Sequence, residues 1–148
     1  MVEERSAGAI IFRRDKDEKN KIYYLLLKYG SGHWGFAKGN IEENEKPKET
    51  TLREIEEETG LSDIKILNNF SELIEYYYYR GGKRIHKIVK FFLGKTDFKD
   101  IKISYEHEDY KWVPFNEAIN LLSFKNSQNI LKKAHNKIKN TLDQFVKK

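Results

Sequence analysis

The sequence predicts an α/β protein in which a mixed β-sheet packs between α-helices. Strand-like apolar runs come first, a glutamate-rich helical segment follows, and further strands precede two helical segments at the end. The 148 residues suit one domain with a buried core. Without an internal repeat or linker to divide the chain, we expect a single domain over residues 1–148.

The first two strands are predicted from apolar runs rich in β-branched and aromatic residues, at Ser6 to Phe12 and Ile22 to Lys28. A charged turn separates them, so we expect them to pair antiparallel, with both strands buried.

The first helix is predicted at about Lys46 to Thr59. Pro47 suits a first helical turn because its missing N–H is not needed there, and Gly60 suits a left-handed end to the helix.

Two further strands are predicted in Asp63 to Arg80 and Lys83 to Lys95, because a glycine-rich hairpin signal joins two β-rich runs. A short strand that ends before Pro114 should follow. We expect Asn116 to cap a short helix through Leu122.

A longer helix should close the fold, capped by Ser127 or Asn126. Its apolar residues recur at helical spacing and form one stripe: Ile130, Leu131, Ala134, Ile138, Leu142 and Phe145.

Composition narrows the possible chemistry. The chain has no cysteine, which excludes disulfides, thiolate nucleophiles and cysteine-ligated metals. Its 28 Lys+Arg against 23 Asp+Glu give a net charge of +5, which suits an anionic ligand or only keeps the protein soluble. The sequence contains neither a secretory signal nor a membrane span, so we expect a cytoplasmic protein.

Three glutamates of the first helix, Glu54, Glu57 and Glu58, stand at i, i+3 and i+4 and share one face. Like charges about 4 Å apart repel by about 4 kcal/mol at an effective dielectric near 20, so hydration or a cation must compensate them. Oxygen ligands favour Mg²⁺, Ca²⁺ or Mn²⁺. A solvated acidic face is the alternative.

The spacing around these glutamates is specific. From Gly39 to Leu61 the chain matches every fixed position of G-x5-E-x7-R-E-U-x-E-E-x-G-U, where U is a bulky aliphatic residue. This pattern resembles the Nudix box, and the resemblance implies a Nudix fold that hydrolyses a nucleoside diphosphate linked to another group with the help of Mg²⁺ or Mn²⁺.

The resemblance also implies roles by position. The metal-binding carboxylates would be Glu54, Glu57 and Glu58, and the backbone carbonyl of Lys38 would add a ligand. Gly39 would let the backbone turn close to the metal, and Arg53 with Glu45 would brace the loop against the helix.

Residues outside the box resemble asymmetric diadenosine tetraphosphate hydrolases over nearly the whole chain. The most specific segment is S-x-E-H-x-x-Y-x-W, which starts at Ser104. By this resemblance Glu106 would be an additional metal ligand or the group that helps to deprotonate water, with Glu108 as a rival and an exposed loop carboxylate as the alternative. Tyr76 and Phe124 would sandwich an adenine.

Phosphate contacts are expected from His33, Lys38, Lys83 and Lys87. In the run Tyr76 to Tyr79, alternation should send Tyr76 and Tyr78 to one face and the other two to the opposite face. Burial by aromatic cross-strand packing is the alternative account for at least two of these rings.

Two positions depart from the family pattern, Ala37 and Asn40, and the tyrosine-rich hairpin is longer than in animal relatives.

The leading hypothesis is hydrolysis of diadenosine tetraphosphate to ATP and AMP by a monomer. RNA 5′ ends, nucleoside triphosphates and nucleotide sugars are alternative substrates. The alternative that is not an enzyme is a nucleotide sensor, which binds nucleotides without hydrolysing them.

Overall fold

The computed structural model describes residues 2–146, with side chains described through residue 140. Its elements follow in the order β1 (Val2–Asp15), β2 (Lys21–Tyr29), β3 (Trp34–Gly35), β4 (Ala37–Asn40), α1 (Pro47–Thr59), β5 (Lys65–Arg80), β6 (Lys83–Lys95), β7 (His107–Val113), α2 (Phe115–Leu121) and α3 (Lys125–Val146).

The strands form a mixed sheet, as predicted. Strand β1 pairs parallel with β6 and antiparallel with both β2 and β4. The main path runs β3-β2-β1-β6-β5, and β7 pairs with β2. Strand β1 is therefore enclosed on both edges, while β5 lies at one end of the path.

Helices cover both faces of the sheet, which explains the continuous apolar runs of the central strands. On one face, Ile10 and Phe12 pack in a cluster with residues of α2 and α3. On the other, Ala9 and Ile11 pack with Ile55 of α1. The predicted arrangement of a sheet between helices is confirmed.

Helix α1 begins and ends where the proline and the glycine at its ends predict. Lys46 precedes the helix, Pro47 opens it, and Gly60 follows with φ 79°. The Gly60 N–H donates to the carbonyl of Glu56 at 2.9 Å, which closes the last turn.

The glycine hairpin is also confirmed. Gly81 and Gly82 have φ of 59° and 77°, the left-handed conformation that a two-residue turn between twisted strands requires at both positions.

The predicted caps of α2 and α3 are wrong, because both helices begin earlier. The Pro114 carbonyl accepts the Ala118 N–H at 2.9 Å, so Asn116 lies inside α2. Helix α3 begins at Lys125, and therefore Asn126 and Ser127 lie within its first turn.

The predicted stripe of α3 is buried at Ile130, Leu131, Ala134 and Ile138. The side chains of Leu142 and Phe145 lie outside the described residues. Between residues 2 and 146, the helices are too short or too polar for any of them to cross a membrane.

Candidate active site

Helix α1, strand β4 and the loop before β7 enclose an acidic cleft of about 670 Å³. Its walls carry the three clustered glutamates of α1 together with Glu106 from the loop, and two lysines from β4 and β6: Glu54, Glu57, Glu58, Glu106, Lys38 and Lys87. Residues far apart in the sequence thus meet in one cleft.

Glu58 lies at the bottom of this cleft and is only 3% exposed. Its Oε2 accepts the Lys38 backbone N–H at 3.1 Å, and its Oε1 lies 3.4 Å from Nε2 of the buried His107. Burial, followed by the nearby charges of Glu54 and Glu106, raises the pKa of Glu58 to about 8. At pH 7 the metal-free protein therefore keeps a proton on Glu58, and a bound dication would displace that proton.

Glu54 occupies space that Gly39 leaves free. A Cβ atom on Gly39 would lie 2.0 Å from the Glu54 carboxyl carbon. Gly39 lies in extended strand β4, paired with Ala7, so the expected turn is wrong. The missing side chain matters because it admits the carboxylate.

Arg53 connects the helix to the loop that precedes it. Its Nε donates to Glu45 at 2.8 Å, its Nη1 to Glu54 at 2.9 Å, and its Nη2 to the Asn40 carbonyl at 3.1 Å. The guanidinium, followed by hydroxyl and backbone donors, lowers the pKa of Glu45 to about 2. The predicted contact of Arg53 with Glu45 is present.

The other two predicted carboxylates of the cleft, Glu57 and Glu106, are more exposed. Glu57 is 58% exposed at its side chain and lies 3.4 Å from Arg53. Glu106 lines the cleft, whereas its rival Glu108 lies 3.7 Å from the ammonium of Lys28. The structure thus places Glu106, and not Glu108, among the cleft-lining residues.

The donor set fits a hard dication. Its carboxylate oxygens are the ligands that Mg²⁺ and Mn²⁺ prefer, and burial, only partly opposed by Arg53, raises the pKa of Glu54 as well as that of Glu58. In the described part of the chain, no three acidic or histidine side chains converge closely enough to enclose an ion as they stand. Glu57 is the most exposed of the three α1 carboxylates, so it has the most freedom to turn toward an ion.

A second cleft, of about 390 Å³, adjoins the acidic one and is mainly apolar. It brings together the predicted residues His33, Tyr76 and Phe124. Tyr29 and Lys38 line both clefts, so the two clefts are neighbours. Its volume is that of a typical small-molecule site.

The ring of His33 stacks on Tyr29, with centroids 4.6 Å apart and an interplanar angle of 9°. Phe124 lies 5.1 Å from His33 and is 55% exposed. Burial, followed by the charge of Lys38, lowers the pKa of His33. This imidazole is therefore a flat, mainly neutral surface at pH 7.

The four tyrosines of β5 alternate as predicted, and the alternative account, burial of at least two of them by cross-strand packing, is wrong. Tyr76 and Tyr78 lie near each other, with ring centroids 6.1 Å apart, while Tyr77 stacks on His86. None of the four rings is buried, because β5 is the last strand of the sheet path.

The predicted lysines divide into two groups. Lys38 and Lys87 line the acidic cleft, and burial lowers the pKa of each. Lys83 is exposed beside the hairpin turn, about 13 Å along β6 from Lys87, and lines neither cleft. A phosphate contact from Lys83 stays a prediction.

Sequence reasoning missed several residues around these clefts. Glu4 contacts Lys87, and its position alone gave no signal for this. Tyr29 lines both clefts, and its hydroxyl donates to the Phe36 carbonyl. His107 belongs to the S-x-E-H pattern, which could have marked it as a neighbour of Glu58.

The NUDIX domain family matches residues 3–134, so the chain belongs to the Nudix family and has the predicted Nudix fold. It is a Nudix hydrolase.

Among individual relatives, the chain is 34% identical over 140 residues to the bis(5′-nucleosyl)-tetraphosphatase [asymmetrical] of Mus musculus, which covers 88% of this chain and 92% of that protein. It superposes on the crystal structure of a C. elegans Ap4A hydrolase binary complex with a TM-score of 0.80 and 27% identity, covering 93% and 98% of the two chains. An RNA pyrophosphohydrolase of Nitratiruptor sp. is 28% identical over 129 residues, or 80% of this chain and 83% of that protein. The predicted resemblance to asymmetric diadenosine tetraphosphate hydrolases is confirmed.

Proposed function

We propose that this protein hydrolyses diadenosine tetraphosphate to ATP and AMP in a reaction that requires Mg²⁺ or Mn²⁺. The observation that carries the proposal is that an acidic, lysine-flanked cleft and an aromatic cleft lie side by side and share Tyr29 and Lys38. Resemblance to the mouse tetraphosphatase supports the same substrate.

Each cleft would hold a different part of the substrate. The α1 carboxylates would carry dications on two adjacent phosphates, while Lys38 and Lys87 would contact other phosphate oxygens. One adenine would lie between Tyr76 and Phe124, where stacking on aromatic rings does not require reading of the base edge.

The reaction needs no protein nucleophile. A water oxygen forms a bond to phosphorus, the bridging phosphoanhydride bond breaks, and the water proton leaves to a base. A bound dication supplies neutralisation of phosphate charge and makes the attacking water more acidic. Glu106 is the proposed base or an additional ligand, because it is an exposed carboxylate at the rim of the cleft.

A substrate panel tests the proposal. Diadenosine tetraphosphate, ATP, ADP-ribose and 5′-triphosphorylated RNA are each incubated with the protein and Mg²⁺, and the products are separated by chromatography. We expect ATP plus AMP from the first substrate and little turnover of ATP. Absence of these products, or faster cleavage of another member, would overturn the assignment.

Glu57→Gln provides the matched inactive variant. Because Glu57 is exposed, the substitution should leave the fold intact, while loss of a ligand carboxylate should lower kcat by orders of magnitude. Near-normal activity of this variant would contradict the proposed metal site. Calorimetric binding of nucleotide without product formation in the wild type would indicate a sensor instead.

The RNA 5′ end is the second candidate substrate. The net charge of +5 and the resemblance to an RNA pyrophosphohydrolase favour it. Release of pyrophosphate from triphosphorylated RNA at a higher kcat/KM than hydrolysis of diadenosine tetraphosphate would establish this alternative.

A further inference from the structure

Lys87 reaches the acidic cleft from β6, and residues of two other strands fix its ammonium group. Its side chain is 10% exposed. The Nζ atom donates to Asn40 Oδ1 at 2.9 Å and lies 3.5 Å from Glu4 Oε1. Asn40 ends β4 and Glu4 lies near the start of β1, so three strands meet at this one cation.

Glu4 is itself held in place by the tyrosine-rich hairpin. The Tyr78 hydroxyl donates to Glu4 Oε1 at 2.5 Å, and Arg80 Nη2 donates to Oε2 at 2.6 Å. These two donors, followed by the charge of Lys87, lower the pKa of Glu4 to about 2. Glu4 is therefore ionised at neutral pH and remains opposite the ammonium.

Asn40 holds the ammonium from the other side. Its Oδ1 accepts Ser6 Oγ at 2.9 Å in addition to Lys87 Nζ. A serine hydroxyl and a lysine ammonium both require an acceptor here, so the oxygen of the amide faces them. This shared acceptor fixes the rotamer of Asn40.

The arrangement limits the freedom of a side chain that is otherwise highly flexible. An ammonium has three N–H donors. Asn40 and Glu4 account for two directions, and the remaining donor is available to the cleft that the α1 glutamates line. A lysine fixed in this way loses less conformational entropy when it binds an anion.

We propose that Glu4 and Asn40 are positioning residues that fix the Lys87 ammonium against a phosphate of the bound polyphosphate. We place that phosphate beyond the diphosphate on the α1 carboxylates, because Lys87 lines the same cleft from β6 and not from α1. The site thereby favours ligands with three or more linked phosphates. The identity of the substrate in this inference rests on the proposed function. The contacts of Glu4 and Asn40 with Lys87 can be tested without it.

A double-mutant cycle of Lys87→Met and Glu4→Gln tests the proposal. The KM for diadenosine tetraphosphate should rise about 10-fold to 100-fold in Lys87→Met, as expected for loss of a charge-assisted hydrogen bond. Glu4→Gln should raise KM about 5-fold in the wild type but less than about 2-fold in the Lys87→Met background, with kcat nearly constant. Equal effects in both backgrounds would overturn the proposal, because Glu4 would then act independently of Lys87.

Glu3→Gln is the matched control. Glu3 neighbours Glu4 on β1 but faces the other side of the sheet, where it accepts a hydrogen bond from Arg5 at 2.8 Å. It should leave KM unchanged. Asn40→Ala provides a second variant if Glu4→Gln does not fold, and its effect should likewise disappear in Lys87→Met.

Calorimetric titration with inorganic tripolyphosphate and Mg²⁺ separates this proposal from the proposed function. Even if diadenosine tetraphosphate is not hydrolysed, Glu4→Gln should weaken tripolyphosphate binding in the wild type and not in Lys87→Met. Failure of the wild type to bind tripolyphosphate, or an unchanged affinity in Glu4→Gln, would refute the positioning role.

Discussion

Glu58→Gln should stabilise the metal-free protein while it abolishes activity. Glu58 is buried, and burial followed by Glu54 raises its pKa from 4.5 to about 8. At about 1.4 kcal/mol per pKa unit, keeping this carboxylate ionised costs the fold about 5 kcal/mol. Glutamine resembles the protonated acid, can still accept the Lys38 N–H, and does not incur this cost.

The sign of the pH dependence follows from proton binding. Between pH 4.5 and 8, the folded wild type retains a proton on Glu58 that the unfolded chain has lost. Stability therefore falls as pH rises through this window, whereas Glu58→Gln lacks this loss. In chelator, the two melting temperatures should agree near pH 4 and differ by about 15 °C near pH 8.5. Differential scanning calorimetry measures both.

Saturating Mg²⁺ should reverse this difference, because it binds the folded wild type and not the variant. The exposed Glu56→Gln, on the same helix, is the control and should melt like the wild type at each pH. A difference in melting temperature between wild type and Glu58→Gln that stays constant from pH 4 to 8.5 in chelator would refute the electrostatic reasoning.

Three further substitutions test individual contacts. Gly39→Ala should lower kcat at least about 100-fold with a retained fold, because its Cβ would displace the Glu54 carboxylate. Titration of the rate with Mg²⁺ should show a lower apparent affinity for the metal. Unchanged kinetics would contradict the close contact. Phe124→Ala should raise KM about 10-fold at constant kcat, because about 1–3 kcal/mol of base stacking is lost. An unaltered KM in initial-rate assays would exclude Phe124 from the adenine site. Arg53→Lys should lower both the melting temperature and kcat, because an ammonium cannot reproduce the guanidinium hydrogen bonds to Glu45 and Glu54. Wild-type values in calorimetry and kinetics would show that these hydrogen bonds are dispensable.

The parts of the fold predicted correctly from sequence are those in which local signals agree. Pro47 and Gly60 mark the ends of α1, because proline fixes φ at a helical value and glycine readily adopts the left-handed conformation that ends the helix. The apolar runs of β1 and β2 predict burial because both faces of these strands meet helices. The grouping of α1 glutamates follows from helical geometry alone.

The parts that sequence reasoning missed depend on long-range contacts. Glu4 meets Tyr78 and Arg80, which lie more than 70 residues away in the chain. The exposure of Tyr76 to Tyr79 depends on the position of β5 at the end of the sheet, which the sequence pattern did not reveal. Periodicity assigns a residue to a face but does not state what covers that face.

Anomalous diffraction from crystals soaked in Mn²⁺ with a slowly hydrolysed analogue of diadenosine tetraphosphate tests the central claim most directly. We predict manganese peaks within coordination distance of at least two of Glu54, Glu57 and Glu58, with phosphate oxygens completing the coordination. Manganese bound elsewhere, with these three carboxylates still paired only to protein groups in crystals of active enzyme, would contradict the account.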